Sequence, residues 1–387
     1  MRTSRARGDT GIIESQMVLS FSAEETAFLA SVQQFADEQV APFTREWEKS
    51  TFPADIWKRT AALGITSCVL PKQFGGRGYS CATYAELCRI LAKADPALSM
   101  NVAAVNALCV AHFEHFANEE QRGKYLPGVL SGDIALSWGL TEPEAGSDAR
   151  RVQTFATPID GKPGYFHLNG EKMFITNGGF AHLFIIIARI SDTELTAFFM
   201  EKDQPGFEDL GRIPTTGVSA SYTLRFRMNN CVAWHTPGSF EQVIGLLYRG
   251  RIGIGAMALG IAEKALEEGV SYAKQREQFG RPLAGMQSVQ NMVAESAMQV
   301  EAAKLLVHQA AWMYDQNLPV VKESSYAKLF ASEAARDVTN KMLQIHGGRG
   351  MTFDYLIEKL WRDAKLTEIG EGASEIQNLI ISKSFLK

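Results

Sequence analysis

One segment near the end of the chain says most about its fold: Trp361-Arg-Asp-Ala-Lys-Leu-Thr-Glu-Ile-Gly-Glu-Gly-Ala-Ser-Glu-Ile-Gln377. It closes a long helical region and places the carboxylate of Glu371 directly before Gly372. Because glycine lets a backbone approach a ligand closely, this carboxylate is a better candidate for a proton-transferring base than one on a solvated helix. Glu368 and Glu375 are rivals, since their spacing from Glu371 could place all three on one helical face.

The composition indicates a soluble globular protein of 387 residues, long enough for two or three packed domains. A net charge of −4 gives no field suited to nucleic acid. We expect no membrane span, since no apolar run reaches the roughly 18 residues that one needs. Five scattered cysteines without a CxxC pair favour a reducing cytoplasm over a disulfide framework, and no histidine pair has metal-ligand spacing.

The N-terminal region is predicted to be helical. Residues 1–17 are basic at first but lack the apolar core of a secretory signal, so we expect a flexible extension, with a transit peptide as the weaker alternative. Residues 18–135 are predicted to form a helical domain. Ser22-Ala-Glu-Glu25 matches a capping box, and three apolar residues follow on one helical face: Phe28, Val32 and Phe35.

Residues 136–240 change to β-type patterns and are predicted to form a β-sandwich or barrel. The predicted strands include Phe174-Ile-Thr176, Leu183-Phe-Ile-Ile-Ile-Ala188, Thr196-Ala-Phe-Phe-Met200 and Thr223-Leu-Arg-Phe-Arg227. Asp160-Gly161 and Asn169-Gly170 predict turns between strands, the second of them a hairpin. Residues 241–387 return to helical periodicity, and a stripe predicts the core face of a bundle helix: Val293, Ala297, Val300 and Val307.

Two segments of the β region are candidates for contact with a flat, polar ligand. Trp138-Gly-Leu-Thr-Glu-Pro-Glu-Ala-Gly-Ser-Asp148 gathers hydroxyls, acidic groups and Gly146 in one loop, which can present donors to a ring or a phosphate. Asn169-Gly-Glu-Lys-Met-Phe-Ile-Thr-Asn-Gly178 places Phe174 and Thr176 on one strand face, where they could stack on a heteroaromatic cofactor. A turn-rich loop and a half-buried strand are the plainer alternatives.

Two helical segments carry residues suited to a phosphate-bearing cofactor. Arg276-Glu-Gln-Phe-Gly-Arg-Pro-Leu283 offers a bidentate phosphate contact at Arg276, with an aromatic ring at Phe279. Gln344-Ile-His-Gly-Gly-Arg-Gly350 has glycines that let the backbone lie close to a ligand. A charged helix end and an interhelical turn explain these segments equally well. No strand–GxGxxG–helix arrangement occurs, so a Rossmann site is disfavoured.

Taken together, these segments resemble the acyl-CoA dehydrogenase family over nearly the whole chain from about residue 20. Seven landmarks occur in family order: Pro71-Lys-Gln-Phe-Gly-Gly76, Leu140-Thr-Glu-Pro-Glu-Ala-Gly-Ser-Asp148, Asn169-Gly-Glu-Lys-Met-Phe-Ile-Thr-Asn177, Arg251-Ile-Gly-Ile-Gly-Ala256, Arg276-Glu-Gln-Phe-Gly280, Gln344-Ile-His-Gly-Gly348, and Arg362-Asp-Ala-Lys365 with Glu371-Gly372. The resemblance implies an α+β fold with an N-terminal helical domain, a middle β domain and a C-terminal four-helix bundle. It also implies FAD between the β domain and the bundle, and a homotetramer built as a dimer of dimers.

The resemblance also implies roles for individual residues. Those implied to contact FAD are Trp138, Leu140, Thr141, Gly146, Ser147, Phe174, Thr176, Ala373 and Glu375. A second group, implied to contact the FAD of a neighbouring subunit, comprises Arg276, Phe279, Gln344 and Gly348, with Gly347 as a further cofactor contact. Substrate contacts are implied for Ser147, Tyr248, Arg251, Gly370 and Gly372.

The implied reaction is the α,β-dehydrogenation of an acyl thioester, from acyl-CoA to trans-2-enoyl-CoA. Glu371 would remove the α-proton near Arg251 while the β-hydrogen leaves as hydride to flavin N5, and an electron-transfer flavoprotein would take the electrons. Alternatives on the same fold are an acyl- or aminoacyl-carrier-protein dehydrogenase, an oxidase or monooxygenase that uses O₂, and a non-catalytic flavoprotein.

Four departures from the family pattern lie near the predicted base and thioester path. Gly370 replaces an aromatic residue, Ala373 replaces a threonine, Tyr248 replaces an aspartate, and the connection from Val232 to Leu247 is short. Two of these changes leave a small side chain and one is a deletion, so we expect a widened or reshaped thioester channel. Such a channel would suit a branched or bulky acyl group, or the phosphopantetheine of a carrier protein.

Overall fold

The computed structural model describes residues 19–386, so the predicted extension over residues 1–17 lies outside the described part of the chain. The N-terminal part is helical, with α1 Ala23–Phe35, α2 Thr44–Lys49, α3 Ala54–Ala62, α4 Cys81–Ala94, α5 Pro96–Ala104, α6 Ala111–Phe116 and α7 Glu119–Ser131. The capping box is confirmed: the Glu25 N–H donates to Ser22 Oγ at 3.2 Å, and the Ser22 N–H donates to Glu25 Oε2 at 3.0 Å. Phe28, Val32 and Phe35 are buried as predicted.

The middle part is a closed β-barrel. Its strands are β1 Leu136–Gly139, β2 Phe155–Pro158, β3 Tyr165–Ile175, β4 Leu183–Arg189, β5 Leu195–Glu201, β6 Phe207–Arg212 and β7 Leu224–Thr236. Pairing runs from β4 through β5, β7, β3 and β2, and Phe155 of β2 meets Arg189 of β4 to close the ring. β1 adds to β4 in parallel, while β6 adds to β7.

Strand β4 explains why the barrel packs firmly against the helices. Leu183, Ile185 and Ile187 join the large core shared with the helical parts. The alternate residues of the same strand, Phe184 and Ile186, fill the barrel's own core. Because successive side chains of a strand point to opposite faces, a strand buried on both sides needs a continuous apolar run.

The predicted hairpin at Asn169-Gly170 is wrong, because both residues lie inside β3. The pairing of β3 with β7 shifts register between Leu168 and Gly170, which marks a bulge. A Cβ atom at Gly170 would lie 2.4 Å from Thr154 Oγ1, so glycine is needed there for close packing. Asp160-Gly161 does separate β2 from β3, as predicted.

The C-terminal part is a helical bundle. Its elements are α8 Phe240–Gly245, α9 Leu247–Gln275, β8 Glu277–Gln278, β9 Arg281–Pro282, α10 Gln287–Asp315, α11 Val321–His346, α12 Ile357–Ile369 and α13 Ser374–Leu386. Helices α9, α10 and α11 pack on one another, and α4 packs on α9. The predicted core stripe of α10 is wrong at one position: Val300 and Val307 are buried, but Ala297 is exposed and Ser296 is buried instead.

Two helical segments pass a length and hydropathy test for crossing a membrane, Pro96–Phe116 and Phe240–Gln275. Polar and charged residues interrupt both segments, so neither has the unbroken apolar run by which the sequence would predict a span. Most of each segment's apolar window is buried inside the protein. Their apolar residues therefore build the core of this fold.

Candidate active site

Glu371 lies in the linker of residues 370–373 between α12 and α13. The linker begins at Gly370, which is extended with φ −65° and ψ 148°, and Glu371 follows with φ 52° in the left-handed region. The prediction that Glu368, Glu371 and Glu375 share a helical face is therefore wrong. A left-handed glutamate is unfavourable in isolation, so the surrounding structure must enforce it, as it commonly does at functional positions.

The carboxylate of Glu371 packs against Gly250 on α9. A Cβ atom at Gly250 would lie 1.8 Å from Glu371 Oε2, so only glycine leaves room for the carboxylate. Oε2 is buried and has no hydrogen-bond partner within residues 19–386. Burial raises the pKa of Glu371 to about 7, against the charges of Arg251 and Lys328, which lower it. A carboxyl group that titrates near neutral pH is suited to general-base chemistry.

Arg251 joins Glu371 from the first turns of α9. Its side chain is buried, with Cζ 5.5 Å from the ring centroid of Tyr248, and its Nε and Nη1 have no hydrogen-bond partner in the described chain. Burial lowers the pKa of Arg251, while Tyr248 and the charge of Glu371 act to raise it. The predicted residues Glu371, Arg251 and Tyr248 are thus brought together.

Lys328 of α11 is a residue of this site that the sequence pattern did not reveal. Its Nζ donates to the carbonyl oxygens of Glu368 at 3.0 Å and Gly372 at 2.7 Å, on either side of Glu371. Gln377 Nε2 also donates to the Gly372 oxygen, at 2.8 Å. A signal was present: Lys328 falls on the buried stripe of α11 that includes Ser324, Ala331 and Ala335, where a lysine is out of place.

The two rival carboxylates lie in surroundings that differ from those of Glu371. The carboxylate of Glu368 is buried and paired, with Arg336 Nη1 at 2.7 Å and with Lys365 Nζ. Glu375 is exposed in the first turn of α13. Of the three predicted candidates, Glu371 alone has a buried oxygen without a hydrogen-bond partner in the described residues.

The predicted loop from Trp138 to Asp148 and the segment carrying Thr176 meet at the edge of the barrel. Ser137 Oγ donates to the Thr176 carbonyl oxygen at 2.5 Å, and the Met173 N–H donates to the Thr141 carbonyl oxygen at 3.0 Å. Trp138 is half-buried, and its indole Nε1 is buried without a partner in the described residues. Further along the loop, Gly146 and Ser147 are exposed.

A buried ion pair holds this loop in place. Lys172 Nζ donates to Glu142 Oε1 at 2.7 Å and to the carbonyl oxygens of Leu140 at 3.0 Å and Ile187 at 2.8 Å. Glu142 also accepts the N–H of Thr154 at 3.0 Å. The quoted motifs contain both charged residues, but no sequence signal pairs them, because they come from different segments.

Phe174 does not share a regular strand face with Thr176, contrary to prediction. It has φ 57°, and the pairing of β3 with β7 shifts register between Lys172 and Ile175. The Phe174 side chain is 55% exposed, while Thr176 lies beyond the end of β3 and is half-buried. The bulge therefore turns the aromatic ring outward, beside the Trp138 loop.

The second group of predicted cofactor residues lies at the opposite end of α9. Arg276 follows the last residue of that helix, and Phe279, in the β8–β9 turn, is 94% exposed. Gln344, Gly347 and Gly348 are exposed at the end of α11. This end of α11 contacts α9, because the rings of His346 and Tyr272 stack with their centroids 4.2 Å apart. At 1.5 Å per residue, about 37 Å separates Arg276 from Arg251, so one chain does not bring this group to Glu371.

Comparison with known proteins gives matches along nearly the whole described chain. The N-terminal, middle and C-terminal domain models of acyl-CoA dehydrogenase match residues 22–133, 137–231 and 240–386. A probable acyl-CoA dehydrogenase of Bacillus subtilis is 37% identical over 384 residues, which cover 96% of this chain and 100% of that protein. The structure of butyryl-CoA dehydrogenase from Megasphaera elsdenii superposes with a TM-score of 0.91 at 34% identity, covering 96% and 100%.

Two further structures bear on the site. A glutaryl-CoA dehydrogenase from Mycobacterium smegmatis in complex with FADH2 has a TM-score of 0.89 at 26% identity, covering 95% of each chain. A prolyl acyl carrier protein oxidase has a TM-score of 0.85 at 28% identity, covering 95% of this chain and 100% of that one. Fold and matches together define an FAD-dependent oxidoreductase with three domains. The chain belongs to the acyl-CoA dehydrogenase family.

The residues beside the barrel fit a flavin cofactor. The buried indole N–H of Trp138 lacks an acceptor within the described chain, which a polar ring edge would supply. The exposed ring of Phe174, on the segment that is hydrogen-bonded to the same loop, offers a stacking surface. A Cβ atom at Gly146 would meet nothing within 4 Å, so the backbone of this loop is open to a ligand.

Proposed function

We propose that this protein dehydrogenates an acyl-CoA thioester at its α,β bond and that Glu371 removes the α-proton. One observation carries the proposal: the Glu371 carboxylate has a buried, unpartnered oxygen and a pKa raised to about 7. A desolvated carboxylate is a stronger base than one in water, and its unused oxygen is free to take a proton.

The α-proton of a thioester is a very weak acid, so the charge that develops on the carbonyl oxygen must be stabilised. The backbone N–H of Glu371 donates no hydrogen bond to another residue in the described range, 19–386. It is our candidate donor to the thioester carbonyl. A base and an oxyanion donor on the same left-handed residue would be fixed relative to each other.

FAD, when bound, supplies the acceptor for the β-hydrogen as hydride. We assign its contacts on this chain to the Trp138–Ser147 loop, Phe174 and Thr176. We further propose that Arg276, Phe279, Gln344, Gly347 and Gly348 serve the cofactor of a second subunit. Their separation from Glu371 and their exposure support this arrangement, which requires a homo-oligomer and agrees with a tetramer.

The acyl carrier is a second question, and a carrier-bound substrate is the alternative to acyl-CoA. A Cβ atom at Gly370 would make only ordinary contacts with Leu366, the nearest at 3.5 Å, so packing does not require a glycine before the base. The structural similarity to a prolyl acyl carrier protein oxidase supports the same alternative. We propose acyl-CoA as the default substrate and an electron-transfer flavoprotein as the acceptor, in the cytoplasm.

Replacement of Glu371 by Gln tests the proposed base. The rate at which acyl-CoA bleaches bound FAD without oxygen should fall at least about a thousandfold, because the amide cannot take the proton. In the unaltered protein this rate should rise with pH through about 7, where the carboxyl group loses its proton. Bleaching by acyl-carrier-protein but not by acyl-CoA would select the second substrate class.

The control is Glu301→Gln, an exposed glutamate of α10. It should leave both the FAD absorbance and the bleaching rate unchanged. Turnover retained by Glu371→Gln with FAD bound would refute the assignment. Hydrogen peroxide release during aerobic turnover would identify an oxidase in place of a dehydrogenase.

A further inference from the structure

Lys328 is a buried lysine that forms no ion pair with any described residue. Its side chain comes from the middle of α11 and is fully buried, and both of its hydrogen bonds go to neutral carbonyl oxygens, those of Glu368 and Gly372. No carboxylate oxygen of the described residues lies within 4 Å of its Nζ. Burial of an unpaired ammonium is costly, so its retention suggests a role beyond packing.

The two carbonyl groups that Lys328 binds bracket the base. The Glu368 carbonyl lies in the last turn of α12, where helical carbonyls lack intrahelical partners and the helix dipole favours a positive charge. The Gly372 carbonyl directly follows Glu371. The left-handed conformation at Glu371, with φ 52°, is therefore held from both sides by one side chain.

Several charges surround this ammonium group. Glu371 and Glu375 act on it from the linker and α13, Glu368 from α12, and Arg251 from α9. Burial lowers the pKa of Lys328 to about 8, opposed mainly by the charge of Glu371. Glu368 is already paired with Arg336 and Lys365. Near Lys328, Glu371 Oε2 is the one buried carboxylate oxygen that has no partner among the described residues.

We propose that Lys328 is the positioning residue of the base: it holds the carbonyl groups on both sides of Glu371, fixes the carboxylate against Gly250, and favours its ionised form. This inference rests on the proposed role of Glu371 as the base. It assigns Lys328 no contact with substrate or cofactor.

The charge of Lys328 gives the proposal a signature in the pH profile. A positive charge nearby lowers the pKa of a carboxyl group, so its removal should raise the pKa of Glu371. The acid limb of the pH–rate profile, which is the range in which the rate rises with pH, would then move to higher pH. A replacement that keeps the charge but changes the geometry should leave the limb in place and lower only the maximal rate.

The test uses FAD-loaded Lys328→Met and Lys328→Arg, with steady-state turnover of acyl-CoA on an artificial electron acceptor followed from pH 5 to pH 9. Lys328→Met should lower kcat by about a hundredfold with KM changed less than about threefold, since a displaced base harms chemistry more than binding. Its acid limb should move about one pH unit higher. Lys328→Arg should keep the wild-type limb and recover part of kcat. If Lys328→Met does not fold, Lys328→Arg tests the proposal instead. A wild-type kcat in Lys328→Arg would then overturn the proposal that Lys328 positions Glu371.

Lys359→Met is the matched control, because Lys359 is also fully buried but pairs with Asp363 Oδ2 at 2.6 Å, away from the base. It should lower the melting temperature without moving the limb. Wild-type kcat and limb in Lys328→Met would overturn the inference while Glu371→Gln remains inactive. An active Glu371→Gln would instead refute the proposed function, so the two failures are distinguishable.

Discussion

Two clusters of buried charge lie at opposite ends of α12, and they differ in whether the charges are satisfied. At the start of the helix, Lys359 Nζ lies 2.6 Å from Asp363 Oδ2 and 3.5 Å from Asp95 Oδ2, and Asp363 Oδ1 accepts the N–H of Val218 at 2.6 Å. At its end, Glu371 keeps an unpartnered oxygen within the described structure.

The difference distinguishes buried charges that hold the fold together from buried charges that are suited to chemistry. Asp95 belongs to the N-terminal helices, Val218 to the β-barrel part and Lys359 to the bundle, so the first cluster joins all three parts of the chain. A satisfied buried network fixes how elements meet. An unsatisfied one is unfavourable in the free protein and is tolerated where a ligand or a proton completes it.

The largest effect should follow from breaking the satisfied cluster. Lys359→Met leaves Asp363 and Asp95 buried without their cation, which should lower the free energy of unfolding by about 3–5 kcal/mol. Thermal melting checks this. Lys365→Met is the control on the same helix: its exposed ammonium pairs with Glu368, and the loss should be at most about 1 kcal/mol. Equal melting of the two variants would contradict the comparison.

How far the sequence predicts these clusters depends on how close together in the chain the contacting residues lie. The capping box at Ser22 was predictable because its bonds join residues three positions apart. Glu371 is singled out by its neighbouring glycine and by its place in an ordered set of motifs, and its role as the base stays a prediction. Lys328 stands out on the buried stripe of α11, but its contacts with the linker could not be predicted, because its partners lie 40 and 44 residues away along the chain.

The errors have the same origin. Asn169-Gly170 has the composition of a hairpin turn, but packing of Gly170 against Thr154 makes it a bulge within a strand. The shared helical face proposed for Glu368 and Glu371 failed because α12 ends at Ile369, one residue before the linker. In both cases tertiary contacts, which the local pattern does not contain, selected the backbone conformation.

A smaller effect should follow from crowding the unsatisfied cluster at Glu371. It should appear in the reaction rate. Gly250→Ala places a methyl group 1.8 Å from Glu371 Oε2, so the carboxylate must move. The rate of FAD bleaching by acyl-CoA should fall about a hundredfold, as expected for a base displaced by about an ångström. Gly245→Ala is the control, since a Cβ atom there meets nothing within 4 Å. A wild-type rate in Gly250→Ala with FAD bound would show that the carboxylate does not act from this position.

The smallest effect should come from another unsatisfied group, the indole N–H of Trp138. Trp138→Phe keeps an aromatic ring but removes a buried donor that has no acceptor within the described chain. Because an unpaired donor contributes nothing to the apoprotein, its loss should leave apoprotein melting nearly unchanged or slightly higher. If FAD supplies the acceptor, its dissociation constant should rise about fivefold to tenfold, the equivalent of one hydrogen bond, as measured by titration of apoprotein with FAD. Trp312→Phe, partly exposed on α10, should change neither quantity. A drop in apoprotein melting with unaltered FAD affinity would place Trp138 with the satisfied, structural groups instead.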